Sequence, residues 1–393
     1  MPDRSPDPTR PISDEALKLR VDAVINGSLA AGRIVGSVTL VSVEGRIVFK
    51  RAAGLMDREA TVPMTDDAVF RLASVSKLFV ATTGMTLVGQ GRLALDSTVD
   101  TFLPWFRPRM IDGSEALITI RQLLTHTSGL GYGFLERDDG PYHVSGVSDG
   151  MDRSVLTLEE NLRRLVSVPL LSKPGSAWTY SLSTDVLGAV IEAVTGQTLP
   201  KAVNDLVVRP LGLSATGFGV PDPVRLATAY ADSAPRPRRM TDDDLLPTAP
   251  GLAGVAMSPA RALDSESFPS GGAGMVGTAA DTLRLLEALR LGGGPLMPQN
   301  VVEEMGKDQI PDLDVAGWAG WGHGLGFTVL RDPAAGGTPE FAGTWRWGGA
   351  YGHSWFVDPV SKLTVVAFTN TAFEGMSGGG RFPVDLCRAV YGQ

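Results

Sequence analysis

Strand-like runs lie towards the two ends of this 393-residue chain and are scarce between them. Residues 35–43 and 46–51 are β-branched stretches flanking Glu44-Gly45, a pair suited to the tight turn of a hairpin. The signal then fades until residues 325–330, 344–347, 353–357 and 363–368, with Asp358-Pro359 turning between the last two. A lone hairpin is marginal in water, so the early one needs a sheet to join, and short connections among the late strands imply antiparallel neighbours. Together these runs predict an α+β fold whose antiparallel sheet is assembled from both chain ends, flanked by helices, with a mainly helical domain inserted. In residue numbers, 12–80 and 270–393 form the sheet domain, 81–269 the helical domain with long loops, and 1–11 a disordered N-terminus. So long a chain exceeds the usual size of one hydrophobic core, which agrees with an insertion of this kind.

Helix signals fill the remainder. Residues 12–31 carry Leu17, Val21, Val24 and Ile25 at helical spacing before Gly32, and residues 383–391 predict a terminal helix. Thr157-Leu-Glu-Glu160 has the pattern of a capping box, and Ser183 or Thr184 opens a helix that Gly196 ends. Residues 221–269 are rich in Pro, Asp and Ala without sustained periodicity, which predicts either a loop that covers a site or a disordered excursion.

Charge and composition exclude several functions. A net charge of -8 leaves no basic surface for phosphates, and the short Arg236, Arg238, Arg239 run sits among prolines as a solvated loop. Nucleic acid is therefore not an expected partner. No apolar run approaches the ~20 residues that span a bilayer, so no membrane partner is expected either. The polar, proline-rich start lacks the apolar segment of a secretory signal, which predicts a cytoplasmic protein. One cysteine, Cys387, precludes an internal disulfide and any cysteine-based metal cluster. His126, His143, His323 and His353 show no ligand spacing, so neither a metal nor another cofactor is expected.

Three segments have the residue types for nucleophilic chemistry. Ser74-Val-Ser-Lys77 lies where a strand-like approach, residues 68–72, meets a helix; the i, i+3 spacing sets the amine beside the hydroxyl, which faces the positive end of the helix dipole. Serine is a poor nucleophile until a neighbouring base takes its proton. An ordinary helix cap fits the same spacing. Tyr180 follows a turn at Pro174-Gly175 just ahead of a helix, so its hydroxyl can project into a cleft, although a core tyrosine fits as well. Trp347-Gly-Gly-Ala350 interrupts a strand with two glycines, as a bulge or as a close approach of ligand or backbone at Gly349. An edge strand there would present the Ala350 amide which, with the Ser74 amide, makes a two-donor oxyanion hole.

At this point the chain, from about residue 35 to its end, resembles the family VIII carboxylesterases, which are related to class C β-lactamases. The resemblance is carried by Phe70-Arg-Leu-Ala-Ser74-Val-Ser-Lys77, Leu123-Leu-Thr-His-Thr-Ser-Gly-Leu130, Pro174-Gly175 with Tyr180-Ser181, Ser270-Gly-Gly-Ala-Gly-Met275 and Trp347-Gly-Gly-Ala-Tyr-Gly-His-Ser354, in that order. It implies a β-lactamase/transpeptidase-like fold, Ser74 as nucleophile, Lys77 with Tyr180 as the proton-transfer pair, and the Ala350 N–H as an oxyanion donor. Two departures bear on the substrate. Trp347 stands where β-lactamases carry a lysine, which removes the cation that meets a substrate carboxylate, and Leu182 stands where class C enzymes have an asparagine. A small, neutral, short-chain acyl ester fits this pattern better than a lactam acid. The alternatives are an acyltransferase or transesterase, a β-lactamase or amide hydrolase of the same fold, and, last, a non-catalytic penicillin-binding-like receptor. Tyr132, just past His126, is a candidate for the pocket wall together with Trp347, while His126 is predicted to hydrogen-bond structurally. Oligomeric state is not legible.

A decoy stands beside these motifs. Gly146-Val-Ser148-Asp-Gly150 matches the nucleophile elbow of α/β-hydrolases, with His353 as a conceivable base. That motif needs a buried strand before it and a helix directly after it, and the flanking sequence predicts neither.

Overall fold

The computed structural model describes residues 14–393; the expected disordered N-terminus, 1–11, lies outside the described residues. Helix α1 (Asp14–Ala30) leads into strand β1 (Gly36–Val43), which turns at Glu44-Gly45 into β2 (Arg46–Asp57). Both turn residues have positive φ, 54° and 83°, the geometry that matches the twist of a two-residue hairpin. A short β3 (Val62–Pro63) follows, then α2 (Ser76–Gly89), α3 (Leu158–Ser167), α4 (Ser183–Thr195) and α5 (Ala279–Arg290). The chain returns to the sheet with β4 (Trp321–His323), β5 (Thr328–Leu330), β6 (Trp345–Gly349), β7 (His353–Asp358) and β8 (Leu363–Thr369), and closes on α6 (Arg381–Tyr391).

These strands form one eight-stranded sheet in the order β4-β5-β6-β7-β8-β1-β2-β3, antiparallel at every step. The two chain ends meet in its middle, where β1 pairs with β8 from Ser37 opposite Thr369 to Val43 opposite Leu363. Side chains alternate between two cores, as the strand period requires. Val38, Leu40, Trp355, Val357, Val366 and Phe368 face the larger core with α2 and α5. Val41, Phe356, Leu363, Val365 and Ala367 face a smaller one with Leu17, Val21 and Ile25 of α1 and Phe382, Leu386 and Val390 of α6. Doubly buried strands explain the nearly continuous apolar runs at both ends of the sequence.

The middle of the chain packs on the far side of α2. Thr157 and Glu160 form the capping box of α3, each side chain bonding the other's backbone N–H, and α4 ends on Gly196 at φ 66°. The larger core runs without a break from the sheet through α2 to Leu162 of α3 and Leu187 of α4, so both of the expected units share it. Residues 221–269 are better structured than their composition suggests. Two small hairpins occur there, pairing Tyr230–Ala231 with Arg238–Arg239 and Asp244–Leu246 with Val255–Met257. Among the described residues no helix is long and apolar enough to cross a membrane.

Candidate active site

The chain reaches Ser74 through a two-residue ladder, Phe70–Arg71 against Val276–Gly277, followed by a tight turn over Ala73–Val75 that runs into α2. Ala73 is held at φ 44°, a conformation that disfavours a side chain and lifts the next residue out of the approach. The turn is fastened to the segment after Ser270: Leu72 N–H donates to Met275 O at 2.9 Å, and Met275 N–H to Ser76 Oγ at 3.1 Å. Ser74 itself is half-buried.

Lys77 lies one turn along α2, 1% exposed, and its ammonium donates to Ser74 Oγ at 3.3 Å and to Gly272 O at 2.8 Å. Tyr180 arrives from the segment leading into α4, with its hydroxyl 2.5 Å from Ser74 Oγ and its ring 4.7 Å from Lys77 Nζ. Three residues named from the sequence thus meet at one oxygen.

The strand β6 runs alongside this turn. It is an interior strand of the sheet rather than the expected edge, yet β5 pairs only with its first two residues, Trp345 and Arg346. From Trp347 onward that side is free. Gly349 rests directly on the carbonyl of Leu72, with no room for a Cβ, and this contact seats the end of β6 against the turn that carries Ser74. Neither the Ser74 nor the Ala350 N–H donates to an acceptor among the described residues, which leaves both available to an oxyanion.

Aromatic rings enclose the site. Tyr132 stacks on Phe134 at 4.6 Å and lies 5.0 Å from the Tyr180 ring, and Trp347 lies 5.6 Å from Tyr180 on another side. Burial and the nearby Tyr180, Asp185 and Asp149 hold the Tyr132 phenol well above its ordinary value, so it is neutral. His126 bonds Ser181 Oγ through Nδ1 at 3.1 Å, and its O accepts the Thr179 N–H at 2.8 Å; both contacts brace the Tyr180 segment. Burial pushes His126 well below the usual imidazole range and His323, 5.4 Å away, down to about 4, so both rings are uncharged at neutral pH.

The elbow-like Ser148 has no such company. Its Oγ donates to Asp152, its backbone is clasped by Asn161, and it follows the single turn Pro141–Val144 rather than a strand. His353, on β7, bonds Arg71 O at 2.8 Å. Among the described residues no group of three His, Cys, Asp or Glu side chains is gathered to hold a metal.

Two residues near Lys77 were given no role in the sequence, although Gly272 lies within the Ser270–Met275 motif. Asp185, in the first turn of α4, is fully buried, with Oδ1 accepting Ser270 Oγ at 2.7 Å; burial raises its carboxyl. Gly272 supplies the carbonyl that holds Lys77. Asp185 directly precedes the apolar residues 186–191, but an acid in a first helical turn is ordinary and gives no signal of a buried role.

Comparison with known proteins gives a consistent result. The Beta-lactamase family model matches residues 21–389. Esterase EstB of Burkholderia gladioli is 50% identical over 387 residues, covering 98% of both chains. Among solved structures, EstCE1, described as a hydrolase with promiscuous acyltransferase activity, superposes with a TM-score of 0.91 at 46% identity, covering 97% of this chain and all of that one. The simvastatin synthase LovD of Aspergillus terreus shares the fold, with a TM-score of 0.75 at 21% identity over 96% of this chain and 98% of its own.

Proposed function

Since this chain belongs to the β-lactamase family and is a serine hydrolase of the esterase kind, we propose that Ser74 is its nucleophile, Lys77 and Tyr180 its proton-transfer pair, and the Ser74 and Ala350 amides its oxyanion hole. The observation that carries this reading is the convergence on Ser74 Oγ of the Tyr180 hydroxyl at 2.5 Å and the Lys77 ammonium at 3.3 Å. In the active state the pair is one proton short and takes the Ser74 proton as Oγ attacks the ester carbonyl. The carbonyl π electrons move onto oxygen, where the two amides stabilise the charge by up to ~3 kcal/mol per donor. The C–O bond to the alcohol then breaks, and Tyr180 returns the proton to the leaving alkoxide. Water repeats the sequence on the acyl-enzyme and releases the acid.

Small, neutral, short-chain esters are the proposed substrates. Support comes from the ring wall of Tyr132, Phe134 and Trp347, with the uncharged His126 and His323 behind it. Among the described residues an anionic acyl group finds no cation in that wall beyond Lys77, which the chemistry needs. An alcohol in place of water would give transesterification from the same acyl-enzyme, a minor outcome in dilute aqueous buffer.

The test is Ser74→Ala beside Ser148→Ala on a chromogenic short-chain acetate. The first should lower kcat by about 10³-fold or more and abolish the acetyl adduct found by peptide mass on Ser74, and the second should keep nearly full activity. The opposite pattern would end the assignment.

A further inference from the structure

Lys77 is a buried ammonium without an ion pair among the described residues: its two hydrogen bonds go to a neutral hydroxyl and a backbone carbonyl. A charge so placed is costly unless something nearby carries the opposite sign. The structure offers one candidate. Asp185 is 0% exposed in the first turn of α4, five residues past Tyr180, and its Oδ2 has no well-aligned hydrogen-bond partner among the described residues, the Gly272 backbone being nearest. The backbone of Gly272 separates the two side chains. A Cβ built on Gly272 would lie 2.6 Å from Asp185 Oδ2, 2.9 Å from the Tyr132 hydroxyl and 3.3 Å from Lys77 Nζ. Three polar atoms therefore surround one α-carbon, and only glycine leaves the space between them open.

Resting on the assignment of Ser74, Lys77 and Tyr180 above, we propose that Asp185 is a positioning residue for the acyl transfer: its carboxylate acts through Lys77 to set the basicity of the Lys77–Tyr180 pair. The other groups facing Asp185 are few. Arg261 adds a positive charge from the turn over residues 259–263, though its guanidinium bonds Asp152 O and Phe268 O. Tyr132 faces it as a neutral phenol, the Gly272 backbone lies against it, and Ser270 donates to Oδ1. Burial raises the Asp185 carboxyl, and the Ser270 hydrogen bond, Lys77, the Gly272 backbone and Arg261 oppose that rise.

An anion beside the pair makes it harder to remove a proton from it and makes the deprotonated pair a stronger base. Removing the anion should do the reverse on both counts. A purely structural Asp185 would only hold the turn of Ser270, whose Oγ in turn accepts the Ala273 N–H at 3.1 Å. Asp185→Asn separates these roles, because the amide oxygen still accepts from Ser270 while the charge is gone.

In Asp185→Asn the acid limb of the kcat/KM profile should move down by about one pH unit and kcat should fall about 10- to 100-fold, with KM little changed. Mass analysis of acylated Ser74 in Asp185→Asn keeps the two assignments distinct. If Ser74 acylates but the limb and kcat match the wild type, the role of Asp185 is overturned and the nucleophile stands; if wild type itself shows no adduct, the underlying assignment falls. Should Asp185→Asn not fold, Asp185→Val with Ser270→Ala removes the acid together with the hydroxyl that donates to it and should show the same limb shift; an unmoved limb there counts equally against the proposal.

Discussion

Asp149 holds the loop that carries two of the site's rings. Its Oδ1 accepts the Gly133 N–H at 2.8 Å and its Oδ2 the Phe134 N–H at 3.0 Å, between Tyr132 and the half-exposed Leu135. Burial drives the carboxyl from 3.8 up to about 7, Asp152 adding to the rise while the two N–H bonds and His143 oppose it. The folded value thus exceeds the unfolded one, so the folded chain retains a proton that the unfolded chain has lost across that window. The corresponding stability is complete below about pH 4 and disappears as pH climbs through 7. Asp149→Asn cannot ionise, so between pH 5 and 8 its urea midpoint should fall less than that of the wild type. Parallel slopes for the two proteins would remove Asp149 as the source. At this scale the sequence is legible only where local geometry decides contact. Ser74 and Lys77 can be paired from their spacing because a helix puts positions three apart on one face. Tyr180, 106 positions from Ser74, is found only by its turn and by family resemblance. Asp149 and Asp185 are illegible, because an acid at a helix start or in a polar loop looks solvated until packing seals it.

Among the elements, β6 bears most directly on catalysis. Its pairing with β5 stops at Arg346, and its tail is pressed against the turn that carries Ser74 by the absence of a side chain at Gly349. The strand was visible in the sequence, as was the glycine pair, but its place inside the sheet was not: nothing local records that β5 would cover half of it. The same limit applies to residues 221–269, whose hairpins have two or three paired residues per strand and so leave no period to read. By contrast α3 and α4 were readable because their ends are written in side-chain chemistry, a capping box and a C-terminal glycine. Gly349→Val should push β6 away from Leu72 and carry the Ala350 N–H out of place. Loss of alignment on the order of 1 Å costs about 10²-fold in rate, so kcat should fall by about that factor while Tm drops modestly. Full activity in Gly349→Val would show that the close approach at Gly349 does not position the donor.

For the whole molecule the decisive fact is that β1 and β8 are neighbours. Ser74 follows the first hairpin and Ala350 precedes the last strands, so the two amides of the proposed oxyanion hole come together only when both chain ends have joined the sheet. That joining is secured on the outer face, where α6 lays Phe382, Leu386, Cys387 and Val390 against α1 and the strand residues Phe356, Leu363 and Val365. Arg20 adds a hydrogen bond from α1 to Ala389 O at 2.6 Å, and Arg33 pairs with Asp385 at 3.3 Å. Arg33 also pairs with Glu374 at 3.5 Å and donates to the buried Ser28 Oγ at 2.8 Å, so Arg33→Ala should cost about 1–3 kcal/mol. The apolar face is another matter. Each buried side chain of that kind contributes roughly 1.5–3 kcal/mol, and four of them together rival the whole net stability of a typical domain, about 5–15 kcal/mol. A chain ended after Gly380 should therefore accumulate as insoluble or dye-binding material without esterase activity, although every residue of the proposed site is present. In the intact protein, activity and sheet signal should be lost at the same denaturant concentration, because the site has no existence apart from the joined sheet. A soluble, active truncated chain, or activity lost well before the sheet melts, would contradict this coupling between the terminal helix and the nucleophile.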